Sequence, residues 1–109
     1  MKKILIICIL FFGSINNINA EVKRIISGNE NAKILIIAYE SLTCSHCADF
    51  HKNVYPKLKK DYLDTGLAKL EFRHFPLDVA ALNASKIAQC NQSQSLRILE
   101  SLYSNQQAW

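Results

Sequence analysis

Ile34-Leu35-Ile36-Ile37-Ala38-Tyr39-Glu40-Ser41-Leu42-Thr43-Cys44-Ser45-His46-Cys47 is the stretch on which the fold of this chain turns. Its first four residues are an unbroken apolar run rich in β-branched side chains, which predicts a central strand covered on both faces. From Cys47 the pattern changes: Phe50, Val54, Leu58 and Leu63 recur at roughly helical spacing with charge between them, which predicts a helix over 47–63. Two thiols separated by two residues thus stand at a strand-to-helix junction. The Cys44 sulfur falls at or just before the first helical turn, where unpaired backbone N–H groups and the helix dipole favour a thiolate. Cys47 lies one turn deeper, within reach to close a disulfide or expel a mixed-disulfide partner. This is the arrangement that thiol–disulfide exchange requires.

Working outward, Val22 to Ile26 reads as a short edge strand closed by a turn at Ser27-Gly28-Asn29. Pro56 falls inside the helical pattern and should kink or restart it, because it has no N–H and clashes with the preceding turn. Thr65-Gly66 reads as the helix stop. Leu70, Phe72 and His74 alternate with Glu71 and Arg73, as a second strand would. Phe75-Pro76-Leu77-Asp78 ends that strand, and Asp78 is placed to cap a helix beginning at Val79 and populated by Ala80, Ala81, Ala84, Ile87 and Ala88. A last helix over 95–104 gathers Leu96, Leu99, Leu102 and Tyr103 on one side.

The amino end bears on compartment. Lys2 and Lys3 precede an apolar run from Ile4 to Phe12, and the segment closes on Ile18-Asn19-Ala20, so residues 1–20 read as a cleavable signal peptide too short to span a bilayer comfortably. Cys8 leaves with it, and Cys44, Cys47 and Cys90 remain. One Cys-x-x-Cys with a single distant cysteine is no disulfide scaffold, so an exported chain with that inventory favours a catalytic pair. Of 109 residues, 13 are Lys or Arg and 9 are Asp or Glu. Loss of Lys2 and Lys3 brings the balance close to neutral, which gives no reason to expect nucleic acid as a partner. The densest basic run, Lys57-Leu58-Lys59-Lys60, is answered by Asp61 and Asp64 and reads as a solvated helix face. No repeat, linker or low-complexity tract divides the chain, whose length suits one small α/β domain.

Strand, Cys-x-x-Cys, helix, strand and further helices form the opening of a thioredoxin-like fold, and three stretches carry a closer likeness. These are Gly28-Asn29-Glu30-Asn31-Ala32, Tyr39-Glu40-Ser41-Leu42-Thr43-Cys44-Ser45-His46-Cys47 and Phe72-Arg73-His74-Phe75-Pro76-Leu77-Asp78. On them the chain resembles the DsbA-like branch of thioredoxin-fold oxidoreductases, exported bacterial enzymes that act on protein thiols. The resemblance extends over residues 25–109, and Tyr103 to Trp109 is similar to the start of the helical insertion that such proteins carry. It implies that Cys44 is the nucleophile, that Cys47 resolves, and that the two form a redox-active disulfide. It also implies that secreted proteins with free thiols are the substrates, that no cofactor is needed, and that an unidentified partner reoxidises the pair in the periplasm. The family's cis-proline loop and carboxy-terminal strands have no counterpart among residues 21–109. The domain therefore reads as partial, with an open β edge and an uncovered apolar face.

His46, between the cysteines, reads as a tuning residue that stabilises the Cys44 thiolate and makes the pair more oxidising. Ser45 stands where many relatives have proline. A metal site is the alternative chemistry. Cys44, His46, Cys47, His51 and Cys90 are potential soft ligands, but no second Cys-x-x-Cys or His-x-x-x-His completes a closed zinc site, so none is expected. Ala48 stands where haem attachment needs a histidine. His51 then reads as a surface helix residue, His74 as a strand-end residue, and Cys90 as a small buried residue on an alanine-rich helix face. The remaining alternative is a non-catalytic truncated remnant, or half of a split protein, that keeps the motif but cannot fold alone.

Overall fold

The computed structural model describes residues 21–109, so the expected signal peptide and Cys8 lie outside the described residues. Three strands form one sheet in the order β1-β3-β2: β1 (Ile25–Gly28), β2 (Ile34–Glu40) and β3 (Ala68–His74). β1 runs antiparallel to β3, with Ile25 opposite Phe72, and β2 runs parallel to it, with Ile34 opposite Ala68 and Glu40 opposite His74. The parallel pair needs a crossover, and the helical stretch between β2 and β3 supplies it. Two helices complete the described residues, α3 (Val79–Cys90) and α4 (Ser95–Ser104), followed by a 3₁₀ turn at Gln106–Ala108.

Helix begins two residues earlier than its apolar periodicity indicates and changes character along its length. α1 (Ser45–Asp49) passes into a π-helical turn at Phe50–Val54, then α2 (Tyr55–Leu58), then a second π turn at Lys59–Leu63. Pro56 sits in the first turn of α2, directly after the first π turn. A proline there has no intrahelical partner to lose, and the widened turn ahead of it relieves the clash with the preceding carbonyl. Gly66 follows in the left-handed region, at φ +78°, and its N–H donates to the Leu63 carbonyl at 3.1 Å, closing the helix. Gly28 is constrained differently. Its φ is +98°, and a Cβ there would lie 3.0 Å from the Ala68 carbonyl oxygen and 3.1 Å from Leu63 Cβ, so only glycine lets β1 end against β3 and the helix.

Three helical boundaries follow the sequence reading: the Gly66 stop, α3 at Val79 with its Asp78 cap, and α4 over Ser95–Ser104. The expectation for β2 is corrected. β3 is the central strand and β2 lies at the edge, with Leu35, Ile37 and Tyr39 exposed on the face opposite the helices. Every second residue of the apolar run faces that side, because side chains alternate along a strand. β1 is the expected edge strand, begun three residues later. The core lies on the other face. There Ile25, Ala68, Leu70 and Phe72 of the sheet pack with Leu42, Tyr55, Leu63, Ala84, Leu99 and Tyr103. Leu42, Leu63, Leu70 and Leu99 are the largest fully enclosed side chains, each stabilising the fold by about 1.5–3 kcal/mol relative to exposure.

One expectation for α3 also changes. Ala81, Ala84 and Ala88 are buried and Ile87 is exposed, but Cys90, expected to be buried, is exposed at the last residue of the helix. Positions 81, 84, 85 and 88 form one narrow stripe, and position 90 falls two residues past it, turned away from α4.

Candidate active site

β2 ends on Glu40, the chain crosses Ser41, Leu42 and Thr43, and α1 starts at Ser45, so the apolar strand and the helix hold the dithiol loop from either side. Leu42 plugs the loop into the core with 0% exposure. Thr43 Oγ1 donates to Asp78 Oδ2 at 2.7 Å, while Asp78 Oδ1 accepts from Ala81 N–H at 2.7 Å. The Leu77 N–H donates to Ser41 Oγ at 3.3 Å. One aspartate thereby caps α3 and tethers the residue before Cys44.

Cys44 is the N-cap of α1, in extended backbone at φ −78° and ψ 119°, and its Sγ accepts from the Cys47 N–H at 3.4 Å. A sulfur in that position takes the place of the usual serine or aspartate oxygen and meets the unpaired donors of the first turn. That N–H first, then the Cys47 thiol, and after them the His46 N–H hold the Cys44 thiol below its ordinary value, against opposing contributions from burial and from Glu40. Cys47 is pushed the other way, chiefly by burial, with the neighbouring Cys44 and Glu40 charges adding to it. Two thiols of one motif are thus differentiated by position: one is lowered at the helix end and the other raised by burial one turn deeper. Both are half-buried.

His46 is exposed on α1, and it is its backbone N–H that acts on the Cys44 sulfur. His51 corrects the expectation of a surface residue. It is 9% exposed, and its Nε2 lies 3.1 and 3.0 Å from the two carboxylate oxygens of Glu40, itself 5% exposed. Its ring stacks on Tyr103 at 4.0 Å and on Phe72 at 5.1 Å. A buried carboxylate is tolerated where it is paired and hydrogen-bonded. Cys47, His51 and Tyr55 follow one another at four-residue spacing, and the π turn brings His51 and Tyr55 inward while leaving Val54 exposed. A histidine one helical turn beyond Cys47, facing a glutamate at the end of an apolar strand, was the available signal for this pair.

Tyr103 closes the cluster from α4. Burial pushes its hydroxyl well above the usual tyrosine range, and the Glu40, Cys47 and Cys44 charges act on it in the same direction. Tyr55 ties the layers together: its hydroxyl is hydrogen-bonded with Ser27 of β1 at 2.8 Å and donates to Glu100 of α4 at 3.0 Å. An open groove of about 700 Å³ runs from Ser45 past Ala48 and Lys52 to Glu100 and Gln106. His74, a strand-end residue as expected, is partly buried, and that burial pulls its imidazole below the ordinary value. Among the described residues no three His, Cys, Asp or Glu side chains converge into a group that holds a metal ion, so the alternative ligand set is not assembled. Among the same residues no helix is long and apolar enough to cross a membrane.

Comparison with known proteins agrees with this geometry. A family model described as Thioredoxin matches residues 20–109. A Rickettsia bellii protein, named provisionally as a protein-disulfide oxidoreductase, is 40% identical over 63 residues, which are 58% of this chain and 24% of that protein. The crystal structure of Wolbachia pipientis alpha-DsbA1 superposes with a TM-score of 0.72 at 40% identity, covering 79% of this chain and 44% of the other. A protein-disulfide isomerase from Novosphingobium aromaticivorans gives a TM-score of 0.74 at 25% identity with the same coverages. The chain spans about a quarter of the length of the curated relatives it matches and under half of these solved structures. With a Cys-x-x-Cys capping α1 at the end of a parallel strand, and these relatives beside it, the chain belongs to the thioredoxin family, in its DsbA-like branch.

Proposed function

We propose that the protein is an exported thiol–disulfide oxidoreductase that promotes disulfide formation in secreted proteins through Cys44 and Cys47. The observation that carries this reading is the opposite displacement of the two thiols, with Cys44 lowered at the N-cap of α1 and Cys47 raised by burial. In the oxidised pair a substrate thiolate attacks Cys44 Sγ. A new S–S bond forms to the substrate, the Cys44–Cys47 bond breaks, and Cys47 leaves with the electron pair and takes a proton, as its burial favours. A second substrate thiolate then attacks the substrate sulfur of the mixed disulfide. The substrate departs oxidised, and Cys44 is released as the more stable thiolate. Two electrons now reside on the dithiol, and a partner with a higher potential must remove them.

Residues 1–20 serve in this proposal as the export signal and residues 21–109 as part of the oxidoreductase domain in the periplasm. The likeness to the Rickettsia and Wolbachia proteins supports the chemistry, and the amino-terminal pattern supports the compartment. The likeness to DsbA-like proteins, not the backbone N–H that alanine would keep, supports a tuning role for the His46 imidazole: replacement by alanine should shift the equilibrium with glutathione towards the disulfide, each tenfold change corresponding to about 30 mV.

The test is alkylation of the reduced chain as a function of pH. One thiol reacts with a midpoint below the ordinary cysteine value of about 8.5. Cys44→Ser abolishes disulfide transfer, and Cys47→Ser accumulates mixed disulfides through Cys44. Two thiols that titrate alike at the ordinary value overturn the reading.

A further inference from the structure

Gln106 reaches the dithiol loop from the opposite end of the described chain. Its Nε2 donates to the Leu42 carbonyl at 2.8 Å and to the Cys44 carbonyl at 3.0 Å. Both partners are carbonyl oxygens, which only accept, so the nitrogen of the side-chain amide must be the atom that faces them. The Cys44 carbonyl accepts a second bond, from the Ala48 N–H at 3.1 Å. The turn that presents Gln106 is itself held, by the Ala108 N–H on the Asn105 carbonyl at 2.8 Å and by Trp109 Nε1 on the Leu102 carbonyl at 3.1 Å.

We propose that Gln106 is a positioning residue for the nucleophile, its amide clamping the peptide planes on either side of Thr43-Cys44 and so linking the end of the helical segment to the reactivity of the dithiol. The two carbonyls belong to the Leu42–Thr43 and Cys44–Ser45 peptides, and their planes set where the Cys44 side chain leaves the backbone. With both planes fixed, Sγ stays within reach of the Cys47 N–H instead of sampling rotamers that abandon it. The clamp also acts electrostatically. A carbonyl oxygen beside a thiolate repels it, and two N–H donors on the Cys44 oxygen draw away that negative charge. Sequence reading gave no hint of this role, because Gln106 lies 62 residues from Cys44 and in a turn without periodicity.

The inference rests on the proposed exchange function, and the test separates the two. In the full chain, Gln106→Met keeps the length and neutrality of the side chain and removes both donors, while Gln107→Met, at an exposed neighbour, serves as control. Alkylation against pH and equilibration with glutathione are read for each. The expected result is a Cys44 midpoint moved towards the ordinary thiol value and an exchange equilibrium shifted towards the disulfide by roughly two- to tenfold, the span of one net hydrogen bond. The control behaves as wild type. A thermal melt recorded alongside distinguishes mere structural support, which lowers the melting temperature and leaves the Cys44 midpoint in place; that outcome, or no change at all, overturns the proposal. Should Gln106→Met not fold, side-chain amide exchange in the ¹⁵N-labelled reduced wild type decides: protected Gln106 protons support the clamp, and rapid exchange overturns it. A wild-type Cys44 that titrates as an ordinary thiol overturns the exchange reading itself.

Discussion

On one face of the sheet, Ile25, Leu70 and Phe72 meet a layer of helix, and the dithiol loop is held there: Leu42 anchors the loop, while Glu40, His51 and Tyr103 form a polar-aromatic cluster. On the other face, Leu35, Ile37 and Tyr39 of β2 alternate with the first set and remain 41%, 38% and 62% exposed. The polar members of that outer face satisfy one another. Glu71, on β3, receives Arg73 Nε at 2.7 Å and Arg24 Nη1 at 3.5 Å, and Arg73 Nη1 donates to the Tyr39 hydroxyl at 2.9 Å. A strand with period-two side chains thus serves two masters, and the same apolar run that looks uniform in sequence has one half in the core and one half in water. The covered face holds the core and the dithiol loop; the outer face presents apolar side chains to solvent.

That contrast breaks first if a covered residue is dispensable. Leu42→Ala removes a fully enclosed side chain two residues from Cys44 and should destabilise the fold by about 2–5 kcal/mol, read as a lower urea midpoint. Ile37→Ala, on the outer face, should leave the midpoint nearly unchanged. Equal losses at both positions would show that the outer face is packed in solution.

The next effect is smaller. Tyr55→Phe keeps the ring in the core and deletes hydrogen bonds to Ser27 and Glu100, which join β1 and α4 to the helix between them. The expected cost is about 1–3 kcal/mol, because the Ser27 hydroxyl is left without its partner in a buried site. Thermal unfolding of the variant checks this, and an unchanged melting temperature removes Tyr55 as the tie between layers.

How far the sequence reveals these two faces depends on the range of the interaction involved. The Asp78 cap, the Gly66 stop and the bounds of α4 are local, settled by residues within four positions, and each is where the sequence reading puts it. The Cys44 N-cap is legible for the same reason. Three features depend on distant chain. β2 lies at the edge because β3 inserts between it and β1, which no property of Ile34 to Ile37 determines. His51 turns inward because a π turn shifts the helical phase, so Val54 of the apolar pattern is left exposed while Phe50 and Leu58 still pack against the core. Cys90 is exposed because the buried stripe of α3 is narrow and ends two residues before it.

Association separates the faces without touching stability. The exposed strip of Leu35, Ile37 and Tyr39 beside the free edge of β2 should bind hydrophobic dyes and promote self-association as concentration rises. Ile37→Lys places a charge in the middle of the strip. Sizing at increasing concentration should then show a smaller fraction of associated species and weaker dye fluorescence, with Cys44 alkylation unaltered. Undiminished association in the variant would move the sticky surface elsewhere.

The smallest expected effect belongs to the ion pairs of the outer face. The hydrogen bond from Arg73, and after it the Arg73 and Arg24 charges, hold the Glu71 carboxyl below the usual carboxylate range in spite of its burial. In the unfolded chain the same group titrates near 4.3. A carboxylate whose value is lower in the folded state favours folding above the unfolded value, and that contribution is lost as the pH falls through the folded one. Stability should therefore decline between about pH 5 and pH 3, with Glu71→Gln flattening part of the slope and leaving the neutral-pH Cys44 midpoint unmoved. Arg73 and Arg24 are both substantially solvent-exposed, so the change is a modest shift in urea midpoint that added salt reduces. An acid slope identical in wild type and Glu71→Gln would mean that the Glu71 ion pairs of the outer face contribute nothing to pH-dependent stability.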